Sequence, residues 1–115
     1  MRFRARAAAP ALALGGLLTL ACATTQIEDV AIDDRRVVVS NTSAGTWRHV
    51  EIWVNDYYRV TAAELGPGGR VEAPLDTFVA GFGQRFDVRR ARVRGAYVTF
   101  TNDRDERERR DWKGR

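Results

Sequence analysis

Arg48-His49-Val50-Glu51-Ile52-Trp53-Val54-Asn55 alternates cleanly between apolar and polar or bulky positions. Val50, Ile52 and Val54 fall on one face, with His49, Glu51, Trp53 and Asn55 on the other. A period of two is the geometry of a strand with one buried side. Immediately after it, Asn55-Asp56 forms a hairpin tip, and Tyr57-Tyr58-Arg59-Val60-Thr61 returns as a second strand.

Working outward from this hairpin, the same vocabulary repeats. Towards the N-terminus, Thr42–Thr46 is a turn-forming cluster, Arg36–Asn41 a β-branched run and Ile27–Ile32 a weakly alternating one. Towards the C-terminus, Leu65-Gly66-Pro67-Gly68-Gly69 reads as a loop and Arg70–Leu75 as a strand with Pro74 at its exit. Phe78, Phe82 and Phe86 are spaced by four, but Gly81 and Gly83 lie between them. Each glycine costs a helix roughly 1 kcal/mol relative to alanine, so an aromatic loop tucked onto the core is expected. Ala91–Thr101 reads as the last long strand. A β-bulge at Gly95 would bring Val93, Val98 and Phe100 to one face. Short strands with turns every eight to twelve residues imply an all-β fold, an antiparallel sandwich of about 6–7 strands or a small barrel.

The first residues carry a different signal. Arg2, Arg4 and Arg6 precede an apolar run from Ala7 to Ala21 that is interrupted by Pro10 and Gly15-Gly16. This is the charged and apolar succession of a secretory signal, and it is shorter than the roughly twenty residues of a membrane-spanning helix. Leu18-Thr19-Leu20-Ala21-Cys22 resembles the lipobox of bacterial lipoproteins, departing from it at Thr19 and Leu20. The resemblance implies lipidation of Cys22, which then becomes the mature N-terminus. Ordinary cleavage after Ala21-Cys22-Ala23 is the alternative. Cys22 is the single cysteine of the chain, so no internal disulfide can form, and a lipid anchor gives that thiol a role. The expected organisation is a signal peptide at 1–21, a short tether at 22–26, a β-sandwich domain at 27–101 and a charged, disordered tail at 102–115. From Val37 through Phe86 the chain resembles the immunoglobulin-like β domains of small bacterial envelope lipoproteins, a resemblance that implies no particular activity.

Charge narrows the partners. The whole chain has a formal net charge of +4, but three of the arginines lie in the signal segment. Residues 22–115 hold 16 basic and 15 acidic residues, without the basic excess of a nucleic-acid-binding domain. Composition therefore argues against nucleic acid, while the lipobox resemblance implies a membrane reached through lipid, with an envelope protein or a glycan as further partner.

Catalytic and metal chemistry find little to work with. His49 is the single histidine, so a His-pair zinc site is out of reach within one chain. Ser40 and Ser43 do not stand in a nucleophile elbow. Asp103-Arg104-Asp105 is a fragment of a calcium loop without its glycine. The expectation is a non-catalytic module with no cofactor, no metal and no catalytic residue. The candidate binding residues are Trp53, Tyr57 and Tyr58, with Asn55 and Asp56 as hydrogen-bonding groups. Two alternatives stand beside it. One is a carbohydrate- or peptidoglycan-binding domain built on the same aromatics. The other is a small hydrolase in which two of Asp56, Glu64, Asp76 and Asp87 converge.

Overall fold

A computed structural model describes residues 27–114. The expected signal peptide, the lipid attachment at Cys22 and the tether at 22–26 lie outside the described residues.

The period-two segment forms β3, Trp47–Val54, and its hairpin partner is β4, Tyr58–Leu65. Ahead of them lie β1 (Val30–Asp33) and β2 (Arg36–Ser40). Behind them come β5 (Arg70–Pro74), a single 3-10 turn at Leu75–Thr77, β6 (Ala96–Thr101) and β7 (Arg107–Asp111). The strands make two antiparallel sheets, ordered β1-β2-β5 and β4-β3-β6-β7. The fourth strand joins the sheet of β3, β6 and β7, giving a sandwich of three and four strands. The all-β sandwich read from the sequence is the observed architecture.

Alternation makes the core. Val30, Val37, Val39 and Ala73 from the three-stranded sheet meet Val50, Ile52, Val54, Val98 and Phe100 from the other. The largest contribution is Trp47, which stacks on Phe100 with ring centroids 3.9 Å apart and planes 9° apart. Strict alternation would send Trp47 outward, because it is out of phase with Val50, Ile52 and Val54. The register of β3 against β6 shifts between Arg48 and Glu51, and His49 adopts a left-handed φ of 50°. This bulge puts Trp47 and Val50 on the same face. Nothing in the sequence signals this irregularity at His49; Gly95, where a bulge is expected, lies just before β6 and outside any strand. Ala91–Gly95, read from the sequence as part of a strand, is irregular.

Three asparagines organise the strand junctions. Buried Asn41 donates to the carbonyls of Gly45 and Leu65, both at 2.8 Å, and accepts from the Ser43 N–H and hydroxyl. The β2–β3 loop is thereby pinned to the end of β4. Asn102 accepts from the N–H groups of Arg104 and Glu106 and donates to the carboxylates of Glu106 and Glu108. Asn55, with φ 52°, accepts from the Arg94 and Gly95 N–H groups and donates to the Arg92 carbonyl. In each case a short amide side chain closes a turn that the backbone alone would leave with unpaired groups.

The phenylalanine-rich stretch is a loop, as expected, but only part of it is tucked in. Phe78 and Phe86 are buried, while Phe82 is 81% exposed. A Val79–Arg85 bridge and the bonds Ala80 N–H to Gln84 O and Gly83 N–H to Ala80 O make a small hairpin with Phe82 at its tip. Val79 also pairs with Arg59, covering the start of the β4 edge.

The C-terminal segment corrects the sequence reading. Residues 107–111, expected to be part of a disordered tail, form β7 and pair with β6 from Tyr97–Asp111 to Thr101–Arg107. Its alternating side chains are held by neighbours across the sheet rather than by an apolar face. Arg107 donates to the His49 carbonyl and to the hydroxyls of Thr99 and Thr101, and Arg110 pairs with Asp29 and Glu108. Trp112 packs against the core and donates its backbone N–H to the Ala96 carbonyl. Deleting residues 106–115 is expected to lower Tm by more than about 5 °C, the scale of a 1 kcal/mol loss in a domain of this size. Loss of a disordered tail would leave the calorimetric transition where it was.

Candidate functional site

Four strands supply one side chain each to a row on the outer face of the larger sheet. In β3, Trp53 points away from Ile52 and Val54, with Arg59 of β4 opposite it on one side and Tyr97 of β6 on the other. The guanidinium of Arg59 lies over the Trp53 ring at 5.3 Å. Trp53 and Tyr97 are stacked at 6.3 Å with 20° between their planes. Arg109 of β7 closes the row, its guanidinium 3.7 Å from the centre of the Tyr97 ring. The result is a ladder, Arg59–Trp53–Tyr97–Arg109, that follows the strand order β4-β3-β6-β7. Cation–π contacts of this kind are each worth about 0.5–1 kcal/mol at exposed sites.

Glu51 is the anion of the face. Its carboxylate lies 3.6 Å from Arg59 and 3.6 Å from Arg107, and it accepts from the Trp53 indole N–H at 3.3 Å and from the Thr99 hydroxyl. Two arginines and the indole thus converge on one half-buried carboxylate. Around the ladder lie three shallow depressions. One of about 410 Å³ runs between the β3–β4 hairpin tip and Trp112, beside Tyr97 and Arg109. A second, of about 490 Å³, separates Trp53 and Tyr57 from Ala80 and Gly81. The third, of about 450 Å³, lies over Glu51, Thr99 and Arg107.

The sequence-derived candidates separate here. Trp53 stands in the ladder, and Tyr57 is 72% exposed at the hairpin tip between the first two depressions. Asp56, also exposed, lines both. Tyr58 belongs elsewhere. It faces inward opposite Val54 and meets Phe86 edge-on at 5.2 Å, so it is part of the packing and not of the outer face. Asn55 is occupied by the backbone of residues 92–95, which makes it a brace for the hairpin tip. Tyr97, Arg59, Arg107, Arg109 and Glu51 were not singled out from the sequence. Tyr97 alternates out of phase with Val98 and Phe100, which is the signal that marks it as outward. The three arginines and Glu51 gain meaning only from cross-strand register.

The four carboxylates named from the sequence lie on separate segments. Asp56 precedes the first turn into β4 and Glu64 stands next to its last residue, roughly 26 Å apart at strand rise. Asp76 sits in the 3-10 turn, and Asp87 is engaged by the Arg89 N–H and by Arg90. Among the described residues no group of three or more His, Cys, Asp or Glu side chains is placed to hold a metal ion.

No protein family, curated protein or solved structure matches this chain.

Tyr97 reports on the ladder's electrostatics. Its phenol is pushed above the ordinary value of 10.0 first by burial and next by the facing Asp56 carboxylate, with Arg109 acting in the opposite direction. The folded state therefore favours the neutral phenol, and the associated stability is present below pH 10 and lost as pH rises through the folded-state pKa. Ultraviolet titration should show Tyr97 ionising above its ordinary value, shifted down by Asp56→Asn and further up by Arg109→Gln. The opposite pair of shifts would mean that these two groups do not act on the ring.

Proposed function

We propose that this chain is an exported, lipid-anchored envelope protein whose β-sandwich is a non-catalytic binding module. The observation that carries the binding role is the Arg59–Trp53–Tyr97–Arg109 ladder on the outer face of the four-stranded sheet. Aromatic and arginine side chains dominate the contact energy of protein interfaces, and those held by neighbours lose little entropy on binding. A polypeptide partner suits the row better than a sugar. Each ring has an arginine towards one side and the other ring towards the other, so neither presents a free face for a sugar to stack on. The edges of the rings and the outward N–H groups of the guanidiniums remain, and these recognise carbonyls and carboxylates.

The anchor half of this reading rests on the N-terminal sequence, with its three arginines, its apolar run and the lone Cys22. Intact-mass measurement on the processed protein is expected to give a chain starting at Cys22 that is heavier by a diacylglyceryl and an acyl group. An unmodified chain starting at Thr24 would refute the anchor and leave a diffusible module. The face is tested separately. A photoreactive amino acid at Thr99, beside the ladder, should yield a discrete crosslinked adduct in whole cells, whereas the same probe at Glu72 on the three-stranded sheet should not. Equal labelling from both positions would sink the assignment of the face.

A further inference from the structure

Charge is divided unevenly along the described chain. Residues 78–95 contain Arg85, Arg89, Arg90, Arg92 and Arg94 against a single acid, Asp87, while the rest of residues 27–114 holds ten basic and fourteen acidic residues. One crossover segment therefore carries a net +4 and the remainder a net −4. All five arginines are exposed.

Ion pairing sharpens the contrast. Arg36, Arg48, Arg59, Arg70, Arg104, Arg107, Arg109 and Arg110 each have a carboxylate within 4 Å. Among the described residues, five arginines have none: Arg35, Arg85, Arg89, Arg92 and Arg94. Four of these five lie in the one segment. Arg90 has Asp87 at 3.7 Å, with 88% of its own side chain exposed. The nearest acids outside the segment are Asp76, whose carbonyl accepts from Arg85 at 3.4 Å, and Asp56, which lines the depressions beside Arg94 and Gly81. The Val79–Arg59 bridge and the bonds from Asn55 to residues 92–95 hold the basic segment on the side of the four-stranded sheet.

The same segment lifts an aromatic ring into solvent. Phe82 crowns the small hairpin between Gly81 and Gly83, and Gly83 takes a φ of 93° that side chains rarely tolerate. Tyr57, across the depression from Gly81, is the second exposed ring. A projecting phenylalanine on a convex, hydrogen-bonded tip has no groove of its own to fill. Its shape suits a soft, flat acceptor, and the surrounding cations require that acceptor to be anionic.

We propose that residues 78–95 form a docking lobe for an anionic phospholipid surface, with Phe82 entering the headgroup region and Arg85, Arg89, Arg92 and Arg94 facing the phosphates. Aromatic rings are favoured at the headgroup level, and arginines near an anionic bilayer add attraction that salt screens. The lobe acts without a lipid at Cys22, so it is tested on a chain that lacks one. Residues 24–115 contain every strand and core residue described, and circular dichroism checks that each variant keeps its fold.

Sedimentation with vesicles of phosphatidylcholine containing phosphatidylglycerol should capture this chain, and pure phosphatidylcholine vesicles should not. Replacing Arg85, Arg89, Arg92 and Arg94 together by Gln should weaken partitioning by at least about tenfold, as should raising the salt to 0.5 M (about). Phe82→Ser should weaken it too, and the emission of a Phe82→Trp variant should move to the blue on adding anionic vesicles. Capture that is indifferent to these substitutions, or no capture at all, overturns the proposal. So does equal affinity for polyglutamate with no effect of Phe82→Ser, which would assign the lobe to an acidic polypeptide.

Discussion

The parallel stack of Trp47 on Phe100 is the contact on which the rest of the sandwich depends. A chain whose single cysteine lies ahead of the domain has no disulfide to join its sheets, so packing must do that work. Trp47 begins β3 and Phe100 is near the end of β6, and both rings fill the interior where the two sheets face each other. The distortion at His49 exists to make this possible. Without it the indole would stand in solvent and the core would lose its largest side chain. Asn41 then closes the same end, tying the loop before Trp47 to the last residue of β4.

With the inner face of β3 committed to the core, its outer face is free to carry something else. Glu51 and Trp53 alternate outward between Val50, Ile52 and Val54, and each finds partners only across strands. Arg59 and Tyr97 are brought to Trp53 by antiparallel register, and Arg109 reaches Tyr97 because β7 pairs with β6. One side of β3 therefore holds the fold together and the other assembles the ladder. A change in register by one residue would exchange the two faces and abolish both.

Charge is handled in two ways in the same small domain. On the strands, opposite charges face one another, as in the convergence of Arg59 and Arg107 on Glu51, so little net field remains. In the crossover between the sheets the arginines have almost no such partners and the field is left open. Exposed ion pairs add little stability each. Their main consequence here is to quiet the strand surfaces and leave residues 78–95 as the one strongly cationic region among the described residues.

The sequence by itself determined that this is an all-β domain. The alternation of Val50, Ile52 and Val54, the valine run of β2 and the Gly-Pro-Gly-Gly turn are local patterns, and periodicity and turn chemistry are local physics. The same alternation set Trp53 opposite Val50, Ile52 and Val54, but whether that face and Tyr57 meet solvent was not legible from it. Tertiary structure alone decided the rest. That Tyr58 packs inward on Phe86, that Asn55 braces residues 92–95 and that Trp47 joins the core all depend on partners distant in sequence. The same holds for β7, which has no apolar stripe to announce it and is a strand because β6 offers a free edge and Thr99, Thr101 and Asp29 receive its arginines. Local composition records what a residue prefers, whereas cross-strand register settles which neighbour it meets.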